Sequence, residues 1–186
     1  MNEMLKQKRM TVDEFIPWAM AQPRGRYELV NGEVFMMSPE RAAHVRTKTS
    51  VHLALAAALK HARTSCEAMA DGMTVRINER TAYEPDALVY CGVRLAGTDI
   101  EVPNPVIVVE VGFPSTESTD TGMKFRGYFS LPSVRHYLII DPEARAITRH
   151  ERGADGQIVS TSRTEGTLVL DPPGIEVSIV DMLPAE

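Results

Sequence analysis

The chain has 186 residues, 44% of them hydrophobic and 24% charged, which is enough to bury one real core and too apolar for a disordered protein. A formal charge of −5 argues against a protein that coats nucleic acid non-specifically, because that needs a basic surface. It does not exclude an enzyme whose site is acidic because it holds metal.

The start, Met1 to Met10, is polar, carries Lys6, Lys8 and Arg9, and is not followed by a signal-peptide core. No apolar run approaches the roughly 20 residues of a membrane span. The expectation is one domain over 1–186, in the cytoplasm and away from membranes. Thr11-Val12-Asp13-Glu14-Phe15 reads as a helix start, with Thr11 and Glu14 forming a capping box. The helix should end before Pro23-Arg24-Gly25. Asn31-Gly32, between Tyr27-Glu28-Leu29-Val30 and Glu33-Val34-Phe35-Met36-Met37, predicts a hairpin, since both turn residues need positive φ.

Ser38-Pro39 stops that strand. From about Arg41 to Arg63 there is no Gly or Pro, and Val45, Leu53, Leu55, Ala56 and Leu59 suit a long helix with one apolar face. Met73 to Ile77 and Glu84 to Cys91 read as strands. Val106 to Val111 is apolar on both faces, which predicts a central strand. A helix over Thr119 to Ser130 follows, stopped by Leu131-Pro132, then a strand over Val134 to Ile140. Ala146 to Glu151, Gln157 to Thr161 and Thr167 to Leu170 read as short outer strands, and Val177 to Leu183 as a last helix. This order predicts an α/β fold: a central mixed β-sheet flanked by helices, with an N-terminal helix and hairpin. Cys66 and Cys91 are 25 residues apart and match no zinc pattern, so two free, buried thiols are expected.

The chemistry concentrates in three residues. Asp86 follows Pro85 at the mouth of an apolar strand. Glu110 interrupts a run of valines near the end of the next strand, where a charge is seldom buried unless paired or bound to metal. Lys124 follows on a helix. Two carboxylates at the ends of adjacent strands repel each other unless a cation lies between them. Mg²⁺ or Mn²⁺ takes oxygen ligands, polarises a phosphoryl oxygen and lowers the pKa of a bound water. A nearby lysine stabilises charge that builds on the phosphate. Asp86 and Glu110 are therefore the candidate metal ligands, and Asp86, Glu110 and Lys124 the candidate catalytic residues.

Several segments together resemble the Uma-type restriction-endonuclease family, found in cyanobacteria and other bacteria, within the PD-(D/E)XK nuclease fold. The resemblance rests on Met10 to Phe15, on Arg26 to Val34, and on Met37-Ser38-Pro39 with His44. Glu84-Pro85-Asp86 matches the PD element and Val108-Val109-Glu110-Val111 the strand with the second acid. Pro114-Ser115-Thr116, Asp120, Lys124 and Tyr128 match the helix that follows, and Leu131 to Pro142 the closing strand. The resemblance implies a restriction-endonuclease-like fold, a Mg²⁺- or Mn²⁺-dependent site, DNA as substrate and, by analogy, a homodimer. In the broad fold pattern the lysine stands two residues after the second acid. Gly112 occupies that position here, and Lys124 would be the displaced lysine. Phe113 stands where the family more often has a small polar residue.

Glu28, Glu33 and His44 also match family positions, and Glu28 and His44 join the candidate catalytic set. His52 and His61 read as helix-surface or packing residues. The main alternative to a nuclease is a nucleic-acid-binding or regulatory module that keeps the fold with little or no catalysis, and another is a metal enzyme acting on a smaller phosphate compound. A DNA nuclease should gather several of Arg41, Arg46, Lys48, Arg126 and Arg135 near its cleft.

Overall fold

A computed structural model describes residues 9–112 and 118–183, with side chains left undescribed at 118–121. Phe113 and the Pro114-Ser115-Thr116 segment lie outside the described residues, as do residues 1–8 and the side chain of Asp120.

Helix α1 (Val12–Met20) begins with the expected capping box: Thr11 accepts from the Glu14 N–H, and the Glu14 carboxylate accepts from the Thr11 N–H. Strands β1 (Tyr27–Val30) and β2 (Glu33–Met36) form the hairpin. Asn31 and Gly32 turn it with φ of 52° and 84°. A Cβ on Gly32 would lie 2.9 Å from the Arg9 Cβ and 3.1 Å from the Met10 carbonyl. Gly32→Ala therefore combines an unfavourable backbone region with a clash. We expect a loss of about 1–2 kcal/mol or more, read as a lowered denaturation midpoint.

Helix α2 (Ala42–His61) is followed by β3 (Cys66–Ala70), β4 (Val75–Asn78), β5 (Thr81–Tyr83), β6 (Ala87–Cys91) and β7 (Pro105–Val111). Helix α3 (Ser118–Ser130) leads to β8 (His136–Asp141), β9 (Ala146–Arg152), β10 (Ile158–Arg163), β11 (Thr167–Leu170), β12 (Ile175–Ser178) and α4 (Ile179–Met182). The large sheet has the order β10-β9-β8-β7-β6-β3. It is mixed: β7 and β8 run parallel across the α3 connection, and the other pairs are antiparallel. A smaller sheet runs β2-β1-β5-β4, and β11 and β12 make a separate ribbon.

The alternation of β6 and β7 sorts the core into two layers. Ala87, Val89, Ile107 and Val109 pack under α2 with Val51, Leu55 and Leu59. Leu88, Tyr90 and Val108 pack under α3 with Tyr128 and Phe129. The central position expected for the valine-rich strand is thus the position of β7. Among the described residues, no helix is long and apolar enough to cross a membrane.

Three expectations are corrected. Cys66 and Cys91 are not free thiols: they are directly opposed across the β3–β6 pair, with Cα atoms 4.0 Å apart, and are joined as a disulfide. Register, which spacing alone does not reveal, brings them together. Among the described residues the segment between α2 and α3 holds five strands, not three, the additional ones being β3 and β5. The last predicted helix is divided, as β12 pairs with β11 through Val177 and Ser178 and only Ile179–Met182 is helical.

Candidate functional site

The antiparallel pairing of β6 with β7 puts the start of one strand beside the end of the other. Ala87 is opposite Val109, and the Asp86 N–H donates to the Val109 carbonyl at 3.0 Å. Asp86 and Glu110 are therefore brought to the same end of the sheet. Asp86 precedes the strand proper, and its carboxylate does not follow Leu88 and Tyr90 toward α3. Instead Oδ2 accepts the Val111 N–H at 2.7 Å. Lys48 Nζ of α2 lies 3.3 Å from Oδ1, and His44 Nε2 lies 3.6 Å from Oδ2.

Glu110 meets α3. Lys124 Nζ donates to its two carboxylate oxygens at 3.1 and 3.2 Å, and the Tyr128 hydroxyl donates to Oε1 at 2.7 Å. Lys124 and Tyr128 are four residues apart on one helix, so both face the same strand end. Lys124 is also paired with Glu28 Oε1 at 3.0 Å, and that oxygen accepts the Glu84 N–H at 2.9 Å. The ammonium lies 5.6 Å from the centre of the Tyr83 ring.

A second knot of charge lies on the α2 side. Lys48 is bonded to Glu40 at 2.6 Å and to Asp71, while Arg26 bonds Glu84 and Asp71 at 2.6 Å each and Glu40 at 3.2 Å. Glu28, Glu40, His44, Asp86, Glu110 and Lys124 line one cleft of about 420 Å³, with Phe35, Met36, Met37 and Met123 as its apolar walls.

The electrostatics follow from burial and imbalance. Burial pushes the Glu110 carboxyl up; Lys124 and Tyr128 oppose this, Asp86 and Glu28 add to it, and the result is about 7 against an ordinary 4.5. Burial would also raise Asp86, but His44, the Val111 N–H and Lys48 outweigh it and hold that carboxyl below its ordinary value. Thus the two acids of the strand pair are pushed in opposite directions.

This separation predicts a pH effect on the metal-free protein. A carboxyl whose folded pKa is raised binds more protons in the native state than in the unfolded state between the two values. Stability then falls as pH rises, here from about 4.5 through about 7. Denaturant midpoints in EDTA should show this slope in the wild type and a flatter profile in Glu110→Gln; parallel profiles would refute it.

The donor chemistry suits a hard divalent cation: carboxylate oxygens and one imidazole. Around Arg26, Lys48 and Lys124 stand Glu28, Glu40, Asp71, Glu84, Asp86 and Glu110, so this cluster is short of positive charge when all are ionised. One atom each from Glu40, His44 and Asp86 lies within 4.8 Å of the others. Glu110 is outside that group of three, with its oxygens held by Lys124 and Tyr128.

Of the sequence candidates, Glu28, His44, Asp86, Glu110 and Lys124 share the cleft. Glu33 does not line it; it is exposed, 3.4 Å from Arg9. Among the five basic residues considered for DNA contact, Lys48 is part of the cluster. Arg135 is at the far end of β7, where its N–H donates to the Val106 carbonyl. Arg41, Arg46 and Arg126 are exposed. Glu40, Asp71, Arg26 and Tyr128 join the site beyond the sequence candidates. His44 and Lys48 are four residues apart on α2 and face the same side, while Glu40 reaches them from just before the helix.

The model of the Uma2 family, described as "Putative restriction endonuclease", matches residues 12–184. An uncharacterized protein of Synechocystis, slr1290, is 28% identical over 149 residues, covering 80% of this chain and 77% of its own. The fold is similar to the crystal structure of a "putative nuclease belonging to DUF820" from Anabaena variabilis, with a TM-score of 0.71, 14% identity, and coverage of 93% of this chain and 97% of that one.

Proposed function

The chain belongs to the Uma2 family of putative restriction endonucleases, and on that premise we propose that it is a Mg²⁺- or Mn²⁺-dependent endonuclease hydrolysing DNA phosphodiester bonds. The observation that carries the reading is the cleft itself. It joins Asp86 from just before β6, Glu110 from β7 and Lys124 from α3, in an acidic cluster short of positive charge.

In this reading Asp86 and Glu110 hold the ion, with His44 and Glu40 beside Asp86. The ion, when bound, polarises a phosphoryl oxygen and acidifies a water. Lys124 presents its ammonium at the cleft wall, where it offsets negative charge developing on the phosphate. Glu28 and Tyr128 orient that machinery: one holds Lys124, and the other holds Glu110. His44 is the imidazole of the cleft, a side chain suited to carrying a proton. A homodimer, one site for each DNA strand, completes the proposal.

The second reading is a nucleic-acid-binding or regulatory module with little catalysis. It is favoured by the charge of −5 and by the pairing of Arg26, Lys48 and Lys124 with carboxylates. Incubation with supercoiled plasmid and oligonucleotides, with Mg²⁺ or Mn²⁺, separates the two. Nicking or linearisation that disappears in Asp86→Ala supports the nuclease. Retention of DNA without cleavage supports the module.

A further inference from the structure

Lys48 is the one lysine of the cluster on the α2 side, and it is deeply placed, with 6% of its surface exposed. Its ammonium is bonded to Glu40 at 2.6 Å and lies 3.3 Å from Asp86. Those are two of the three residues whose donor atoms lie within 4.8 Å of one another, His44 being the third. The ammonium of Lys48 thus lies behind the cleft wall, against the side where Glu40 and Asp86 converge.

We propose that Lys48 is the resident counter-cation of the Asp86 side of the cleft, and that a divalent cation entering there competes with its ammonium for Asp86 and Glu40. The inference rests on the reading that the cleft takes a divalent ion. Lys48 would set the affinity for that ion as a positioning residue.

Two features make the exchange feasible. Lys48 has a third partner, Asp71, which does not line the cleft, so the ammonium can stay paired while releasing Asp86. Asp86 keeps its own anchors, the Val111 N–H at 2.7 Å and His44 beside it. Releasing Lys48 therefore leaves the carboxylate in place for the incoming ion. A positive charge this close to a divalent cation opposes its binding, and the opposition is large where water is scarce.

The test is Mn²⁺ affinity measured by calorimetry on wild type, Lys48→Gln and Lys48→Arg, with no substrate present. Lys48→Gln keeps a polar group for Asp71 and removes the charge; it should bind Mn²⁺ at least tenfold more tightly. Lys48→Arg keeps the charge and should stay within about threefold of wild type. Equal or weaker binding by Lys48→Gln in a wild type that does bind overturns the inference alone. Equally tight binding by both variants also overturns it, since charge would not be the determinant. If neither wild type nor Lys48→Gln binds Mn²⁺, the divalent-ion reading of the cleft falls, and this inference with it. Should metal-free Lys48→Gln not fold, the constant is read by chelator competition on protein refolded in Mn²⁺. Failure to fold in saturating Mn²⁺ counts against the proposal, because the ion would then not replace the ammonium.

Discussion

Lys124→Ala should cut DNA cleavage by about 10²–10³-fold while leaving Mn²⁺ affinity equal to or tighter than wild type. The lysine is 3.0–3.2 Å from oxygens of Glu28 and Glu110, and its side chain is 10% exposed. It is therefore a partner of carboxylates, and its loss removes no oxygen donor from the cleft. Its loss does take the counter-charge from two poorly solvated carboxylates, leaving Glu110 with the Tyr128 hydroxyl and Glu28 with the Glu84 N–H. Breaking a buried pair from one side costs about 3–5 kcal/mol, a sizeable part of a domain's stability. Kinetics must be read at a temperature where circular dichroism shows the variant folded, and Mn²⁺ should recover part of the lost melting temperature. Lys124→Arg should restore stability more than turnover, because a planar fork keeps the charge but not the point geometry. Cleavage at the wild-type rate by Lys124→Ala would reduce the lysine to a structural counter-charge.

The parts of this site that were legible in the sequence are those that break a local pattern. Glu110 stands out because it interrupts valines in a strand that proves central. Asp86 stands out behind Pro85, and the hairpin turn behind Asn31-Gly32. Taken alone a helix lysine is ordinarily solvated, so Lys124 is legible by its place after the two acids, and the family resemblance supports that place. The α2-side cluster was not legible for a different reason. Arg26, Glu40, Lys48, Asp71 and Glu84 are each unremarkable in their own segment, and tertiary packing makes them one network.

The missed strands have local causes. β3, Cys-Glu-Ala-Met-Ala, carries little β-branched content and no clean alternation. β5 has three residues and exists because Leu29 of β1 pairs with Ala82 on one side while β4 pairs on the other. The cysteine expectation failed with β3: without that strand there is no register, and register puts Cys66 opposite Cys91. Reading the chemistry needed only single residues, whereas reading the pairings needed strands that propensity does not mark.

Asp86→Asn should abolish both cleavage and the stabilisation that Mn²⁺ gives the wild type. At a free ion concentration of 100 times Kd, binding to the native state alone adds about 2.7 kcal/mol. For a chain of this size that is a rise of roughly 5–11 °C in melting temperature. Asp86 is the acid held ionised, fixed by the Val111 N–H and flanked by His44 and Lys48, so removing its charge removes the best-prepared donor. The substitution keeps the side chain's shape and an oxygen for the Val111 N–H. Lys48 keeps Glu40 and Asp71. The metal-free melting temperature should therefore move by only a few degrees, which separates ligand loss from unfolding. Glu110→Gln should reduce the Mn²⁺-induced rise less completely, because Glu110 lies outside the three-residue donor group and is held by Lys124 and Tyr128. A full Mn²⁺-induced rise in Asp86→Asn would place the ion elsewhere and remove the basis for Asp86 as a ligand.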